Sequence, residues 1–201
     1  MINPRSHILQ KCTSCRTAFF CCDIQEKLVD KIPNFQNAVK VSNKLSRLYE
    51  QLPREHFSFL ATEQYPQGVG HLHKDIILPK DAPVFAKMTP SMLTKDVVDY
   101  LKSDGKEPVQ QVVLWGHETH VCILQTADAL LQQNIRVAIC LDGCSAQRKI
   151  DHDAAVLSMS RWDGLVFSTP IGILLQLTQG DASLMTKEMM RLAKPEPHQE
   201  L

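Results

Sequence analysis

Short apolar runs alternate along the chain with longer stretches whose apolar residues recur at helical spacing. The short runs predict strands near residues 17–22, 57–61, 84–86, 110–115, 135–141 and 165–167. The longer stretches predict helices near residues 34–51, 94–103, 119–133, 150–161, 171–178 and 183–193. This alternation is typical of α/β proteins, so we predict a three-layer α/β/α fold around a mainly parallel sheet. Ligands of such folds bind beyond the carboxyl ends of the strands.

The chain is expected to form a single domain. Its 201 residues are enough to bury one sizeable core, and no internal repeat or low-complexity tract interrupts it. Both ends are polar or carry prolines, which is typical of tails. We therefore predict a domain over residues 15–193, with tails at residues 1–14 and 194–201.

Charge and composition argue against several classes of protein. Acidic and basic residues balance at 22 each, so the chain lacks the net positive charge that favours nucleic acid as a partner. No apolar stretch approaches the roughly 20 residues that span a bilayer, and Met1–Arg16 lacks a secretory pattern. We expect a cytoplasmic protein with no membrane partner. The seven cysteines, with Cys21 and Cys22 adjacent in an apolar run, predict reduced thiols instead of a disulfide framework.

Cys122 lies where an apolar strand gives way to a helix. Val112–Trp115 predicts a buried strand, and Gly116 predicts a turn after it. The following apolar residues share one helical face: Ile123, Ala127, Leu130 and Leu131. A thiol in the first turn of a helix lies near the positive end of the peptide dipoles, which favours the thiolate. Cys122 is thus a candidate nucleophile; the alternative is a small, inert core residue.

Two charged residues interrupt apolar runs elsewhere in the chain. Asp23 follows the run Ala18–Cys22, which puts a carboxylate where a predicted strand meets its loop. Lys87 is a single cation within the short apolar run Val84–Met88. Taken singly, Asp23 could cap a helix and Lys87 could extend to the surface.

In these contexts the order Asp23, Lys87, Cys122 resembles the isochorismatase-like cysteine hydrolases. The resemblance covers most of the chain and is greatest to the eukaryotic branch called isochorismatase domain-containing proteins, some of which are labelled Mar1 ribonucleases. Five segments carry it: Cys22–Lys27, Thr62–Gly70, Lys87–Ser91, Gly116–Cys122 and Asp142–Ala146. It implies a Rossmann-like fold of the isochorismatase type.

The resemblance also implies a catalytic triad. Cys122 would attack a carbonyl carbon and form a thioester, while Asp23 would accept the thiol proton and later return it to the leaving group. Lys87 would keep its positive charge, favour the thiolate and orient the acid. A cis peptide bond is implied between His117 and Glu118, and its amide, with that of Cys122, would form an oxyanion hole.

The same resemblance also implies substrate-binding residues. It places Gln25, Gln64, Tyr65 and Met88 at the substrate, although the sequence alone allows the last three to be ordinary packing. The substrate itself is not specified by any of these residues.

The resemblance implies neither a metal ion nor a cofactor. Nicotinamidases of this family carry an Asp-Trp-His metal pair where this chain has Gln64–Pro66. His71 and His73 follow in a loop flanked by glycine, and they could bind zinc or face solvent. Cys12 and Cys15 form a C-x-x-C, which could be redox-active or provide half of a zinc site. No second pair occurs at suitable spacing and the motif precedes the first strand, so a chance occurrence is favoured.

Three functions stay open at this point. The first is hydrolysis of an amide or acyl compound through Cys122. The second is ether hydrolysis that needs only Asp23 and Lys87, since true isochorismatases act on a vinyl ether without a cysteine. The third is a non-catalytic, partner-binding protein that retains the fold. For all three, analogy with the family predicts a homo-oligomer.

Overall fold

The computed structural model describes residues 8–103 and 107–194, which form one parallel sheet flanked by helices. The strands are β1 (Arg16–Cys22), β2 (Phe57–Gln64), β3 (Val84–Lys87), β4 (Val109–His117), β5 (Arg136–Ser145) and β6 (Leu165–Ser168). Their order in the sheet is β3-β2-β1-β4-β5-β6, and every pairing is parallel. The predicted fold class and all predicted strands are therefore confirmed.

Helices connect the strands as the apolar spacing predicts. They are α1 (Phe35–Gln51), α2 (Pro66–Val69), α3 (Lys95–Ser103), α4 (Leu124–Leu131), α5 (Lys149–Met159), α6 (Pro170–Thr178) and α7 (Lys187–Ala193). Only the four-residue α2 was not predicted, because so short a segment has no apolar period. The helix predicted over 119–133 is divided: a π-helical turn, Thr119–Ile123, precedes α4.

The core is built around β1, which lies between β2 and β4. Every residue of β1 is buried, as expected for a parallel strand covered on both faces. Aromatic rings from three strands pack together on one side of the sheet, with Phe19 of β1 contacting Phe57, Phe59 and Trp115. Because β1 is central, Asp23, which follows its carboxyl end, also lies inside the protein.

Gly116 lies within β4 instead of in the turn that we predicted. Its φ of +124° belongs to the region that favours glycine, and a Cβ there would stand 1.9 Å from the carbonyl oxygen of Cys22. The absence of a side chain therefore lets Gly116 pair with Cys22 at the end of β1, and β4 continues to His117 beside β5. β5 also passes its predicted end, after an irregularity in its pairing with β4, and reaches Ser145.

Part of the predicted N-terminal tail packs on the domain. Leu9 and Cys12 are buried, and the Cys12 amide donates to the Leu177 carbonyl of α6 at 2.8 Å. Lys11 forms an ion pair with Asp181 at 2.7 Å. Residues 195–201 of the predicted C-terminal tail lie outside the described residues, so the division into tails and domain stays a prediction. None of the described helices is long and apolar enough to cross a bilayer.

Candidate active site

Asp23, Lys87 and Cys122 come together beyond the carboxyl ends of four neighbouring strands. Asp23 directly follows β1, Lys87 is the last residue of β3, and Cys122 lies in the π-helical turn after β4. The Lys87 side chain passes the end of β2 to reach Asp23, where its Nζ lies 2.6 Å from Oδ2. The same Nζ lies 3.5 Å from Cys122 Sγ. One ammonium group therefore contacts both the carboxylate and the sulfur.

These three side chains are buried, which strengthens the interaction between their charges. Burial by itself lowers the pKa of Lys87, but attraction to Cys22, Asp23 and Cys122 outweighs that effect, so its pKa is raised. The ammonium group therefore keeps its proton at neutral pH. An ammonium that stays charged stabilises a thiolate beside it.

Further acceptors hold the ammonium group of Lys87 in place. Its Nζ donates to Gln64 Oε1 at 2.8 Å, and the carbonyl oxygens of Thr89 and Pro90 lie at 3.3 and 3.0 Å. These neutral oxygens can accept N–H bonds while the carboxylate balances the charge. Gln64, which we expected at the substrate, thus already contacts the lysine.

Two residues that we did not predict contact the carboxylate of Asp23. Thr62 of β2 donates its hydroxyl to Oδ1 at 2.7 Å, and the thiol of Cys22 donates to Oδ2 at 3.4 Å. Thr62 pairs in register with Cys22 and follows an apolar run in β2, just as Asp23 follows one in β1. The strand-end criterion that marked Asp23 would therefore also have marked Thr62.

Gln25 is a structural clamp in this fold. Its Oε1 accepts from the Gln64 amide at 2.8 Å, and its Nε2 donates to the carbonyls of Gln64 and Gly70 at 3.0 and 2.5 Å. The residue is fully buried, and both N–H donors of its amide are used within the protein. The expected contact of Gln25 with a substrate therefore has no support in its geometry, which favours a role in holding the loop after β2.

Tyr65 and Met88 leave much of their surface open. Met88 is 69% exposed and directly follows Lys87, and Tyr65 is 47% exposed with a φ of +39°. The tyrosine ring covers Gly68, where a Cβ would stand 2.2 Å from Cε1. Contact of Tyr65 or Met88 with a substrate stays a prediction.

The peptide bond between His117 and Glu118 is cis, as the resemblance implies. The His117 ring is buried beside Phe35, with 5.2 Å between ring centroids, and neither ring nitrogen has a hydrogen-bond partner among the described residues. Burial lowers its pKa to about 3, so the ring is neutral. The Glu118 carboxylate accepts from the backbone and side-chain amides of Gln147 at 2.7 and 2.9 Å.

The two histidines of the loop after β2 lie in different environments, one exposed and one buried. His71 is exposed, with Nδ1 at 3.0 Å from Glu63 Oε2, whereas His73 is buried against Phe35 and its Nδ1 accepts from the Asp75 amide at 3.3 Å. Within the described part of the chain, neither histidine belongs to a set of three metal-binding side chains. This geometry favours the reading of His71 as a solvent-facing residue.

One set of three potential metal ligands does occur among the described residues: Cys22, Asp23 and Cys122. However, the Lys87 ammonium already lies 2.6 Å from the carboxylate of that set. A metal ion would have to bind beside a fixed positive charge, so the set is better suited to a thiolate paired with lysine. Cys12 and Cys15 precede β1 and lie at the opposite end of that strand from the site.

Comparison with known proteins identifies the family of this chain. Residues 17–171 match the isochorismatase domain. Isochorismatase family protein 1B from Dictyostelium discoideum is 31% identical over 89% of this chain and 86% of its own. A hypothetical protein from Trypanosoma cruzi has a structure with a TM-score of 0.89 at 44% identity, covering 95% of this chain and 97% of that one. A MAR1 ribonuclease from Caenorhabditis elegans has a TM-score of 0.79 at 30% identity, covering 98% and 100%.

Proposed function

Because the chain belongs to the isochorismatase family of hydrolases, we propose that it hydrolyses a small amide or related acyl compound through a Cys122 thioester. Asp23 is the proposed base and acid, and Lys87 is the cation that supports both partners. One observation carries the proposal: Lys87 Nζ lies 2.6 Å from Asp23 Oδ2 and 3.5 Å from Cys122 Sγ.

The reaction begins with transfer of the Cys122 proton to Asp23. The sulfur lies within 4.8 Å of a carboxylate oxygen of Asp23, a separation that a bound substrate can shorten, since catalytic contacts often tighten on binding. The thiolate attacks the carbonyl carbon, the bond to the leaving group breaks, and Asp23 returns the proton to the departing amine. Asp23 then accepts a proton from the water that hydrolyses the thioester.

Lys87 contributes charge and position in this scheme. Its ammonium stabilises the thiolate before attack, and it holds the carboxylate through the ion pair. Thr62 fixes the other carboxylate oxygen, so that Asp23 cannot rotate away without losing a 2.7 Å hydrogen bond. The scheme requires no metal ion and no organic cofactor, since the nucleophile, the base and the cation are all side chains.

Backbone amides complete the proposed site. We assign the N–H groups of Glu118 and Cys122 to the oxyanion that forms when sulfur adds to the carbonyl. Preorganised donors of this kind act in a buried site, and loss of one typically costs about 3 kcal/mol of transition-state stabilisation.

A small molecule suits this site better than RNA. One structurally similar protein carries the name MAR1 ribonuclease, but affinity for nucleic acid depends mainly on basic residues that contact phosphates. This chain has a formal net charge of zero, and its proposed base and cation neutralise each other. Self-association and a cytoplasmic location stay predictions from the sequence.

The proposal is tested by the reactivity of Cys122. Iodoacetamide should label Cys122 near neutral pH faster than it labels an ordinary peptide thiol, with the site identified by mass spectrometry. Cys144 is the matched control, because it is 8% exposed against 7% for Cys122, while burial raises its pKa to about 12. A panel of small amides should give an acyl adduct on Cys122, and the adduct should be absent in Cys122→Ala but present in Cys144→Ala.

Other results would point to the other functions. Turnover of an ether by Cys122→Ala as fast as by the wild-type protein would favour the mechanism that uses only Asp23 and Lys87. If Cys122 reacts no faster than an ordinary peptide thiol, the activated nucleophile is refuted and a non-catalytic role is favoured.

A further inference from the structure

A second sulfur lies in the site and has no part in the hydrolytic scheme. Cys22, the last residue of β1, is fully buried, and its Sγ donates to Asp23 Oδ2 at 3.4 Å and to the His117 carbonyl at 3.6 Å. Its sulfur, a carboxylate oxygen of Asp23 and the Cys122 sulfur all lie within 4.8 Å of one another. The acid that would deprotonate Cys122 therefore also accepts a hydrogen bond from Cys22.

We propose that Cys22 is the resolving thiol of an oxidative modification site, and that hydrogen peroxide converts Cys22 and Cys122 into a disulfide. This inference rests on the proposed function, because it needs Cys122 to be the reactive thiolate. It adds a co-reactant, a peroxide, and a role for a residue that hydrolysis does not require.

The chemistry has two balanced steps. First, Cys122 passes its proton to Asp23, and the thiolate attacks one oxygen of hydrogen peroxide. The S–O bond forms, the O–O bond breaks, and the departing hydroxide takes the proton from Asp23 and leaves as water. Second, Cys22 passes its proton to Asp23 and attacks the Cys122 sulfur. The S–S bond forms, the S–O bond breaks, and the released hydroxide takes the proton from Asp23 as water. Two thiols are oxidised, and one peroxide is reduced to two waters.

The fold selects Cys22 over the neighbouring cysteine in the same strand. Successive side chains of a strand point to opposite faces, and the Cys21 sulfur lies 3.4 Å from Ser42 Oγ of α1. Cys21 is as buried as Cys22, yet it is not part of the group formed with Cys122. These two residues are therefore a matched pair for testing, since only one faces the reactive sulfur.

Disulfide formation would have two consequences for the protein. It would remove the nucleophile from hydrolysis until a thiol reductant restores it. It would also protect Cys122 from sulfinic acid, which thiols do not reduce, because the sulfenic acid is consumed before a second peroxide arrives.

The test is a peroxide titration of the reduced full-length protein, followed by tryptic digestion without reductant. Trypsin releases Cys21 and Cys22 on residues 17–27, and Cys122 on residues 107–136 as its sole cysteine. We expect a linked pair of these peptides, a loss of two hydrogens from the intact mass, and full recovery of Cys122 labelling after dithiothreitol. Cys21→Ala should behave like the wild-type protein.

Cys22→Ala should give no linked pair, and it should accumulate sulfinic acid on Cys122 that dithiothreitol does not reverse. Cys22→Ser serves the same purpose if the alanine variant does not fold, and the wild-type peptide map is decisive in either case. Rapid iodoacetamide labelling of reduced Cys122 without a linked pair would overturn this inference and leave the proposed hydrolase intact. Slow labelling of reduced Cys122 would overturn both.

Discussion

The buried ring of His117 should make the stability of the protein depend on pH in a defined window. Burial lowers its pKa from 6.5 to about 3, and its nitrogens have no hydrogen-bond partner within the described residues. Between these pH values the unfolded chain binds a proton at His117 that the folded chain excludes. The free energy of unfolding should therefore fall as the pH drops below 6.5 and stop falling near pH 3.

The size of the effect follows from the linkage of one proton. Each pH unit well inside the window changes the free energy of unfolding by about 1.4 kcal/mol. From pH 7.5 to pH 4.5, the loss assigned to His117 is therefore about 3 kcal/mol, allowing for partial titration near pH 6.5. This range avoids most of the carboxylate titration that dominates at lower pH.

His117→Leu is the matched variant, because leucine fills part of the volume and cannot titrate. Urea unfolding followed by fluorescence at several pH values gives the free energy for each protein. As the pH falls from 7.5 to 4.5, the free energy of unfolding of the wild-type protein should decrease by about 3 kcal/mol more than that of the variant. His152, whose pKa burial also lowers, is present in both proteins and cancels. Parallel curves would refute the reasoning, because they would mean that the folded protein protonates His117 freely.

Three further predictions concern the contacts around Asp23, Lys87 and the loop after β2. Lys87→Met should cost about 3–5 kcal/mol because it leaves Asp23 buried without a counterion, and the double variant with Asp23→Asn should recover much of that loss in urea unfolding. Additive losses would contradict the ion pair. Thr62→Val should cost about 1–3 kcal/mol by leaving a carboxylate oxygen without its donor, and Thr62→Ser should restore stability, whereas an unchanged urea midpoint would deny the contact. Gln25→Ala should speed amide exchange in the loop after β2; exchange at the wild-type rate would show that the clamp is dispensable.

The strands and helices were accessible from apolar spacing, but their exact ends were not. The period of a pattern reports which face is buried, and it carries no information on where pairing with a neighbouring strand stops. Gly116 shows the difference. In the sequence it predicts a turn, yet in the fold it is a strand residue, because the carbonyl of Cys22 passes too close for any side chain.

Asp23 and Lys87 stand out in the sequence because each ends or interrupts an apolar run, and Cys122 because it lies where a strand gives way to a helix. The resemblance to the family joined the three into a proposed triad. The residues around it were missed for a different reason. Cys22 looks like core, and only the pairing of β1 with β4 and the position of the π-helical turn after β4 bring it to Cys122. The contacts of the Gln25 amide with the backbone could not be predicted either, because the sequence does not specify the path of the loop after β2.

The place of β3 at the edge of the sheet puts the cation of the proposed site on its least enclosed strand. Its four residues pair with β2 alone, from Val84 opposite Ala61 to Lys87 opposite Gln64. Fraying of such a short edge strand costs less than opening of the central ones. Fraying of β3 would move Lys87 away from the site, while Asp23 and Cys122 would stay beside the central strands β1 and β4. The charge that supports the proposed thiolate of Cys122 therefore depends on the pairing of β3 with β2.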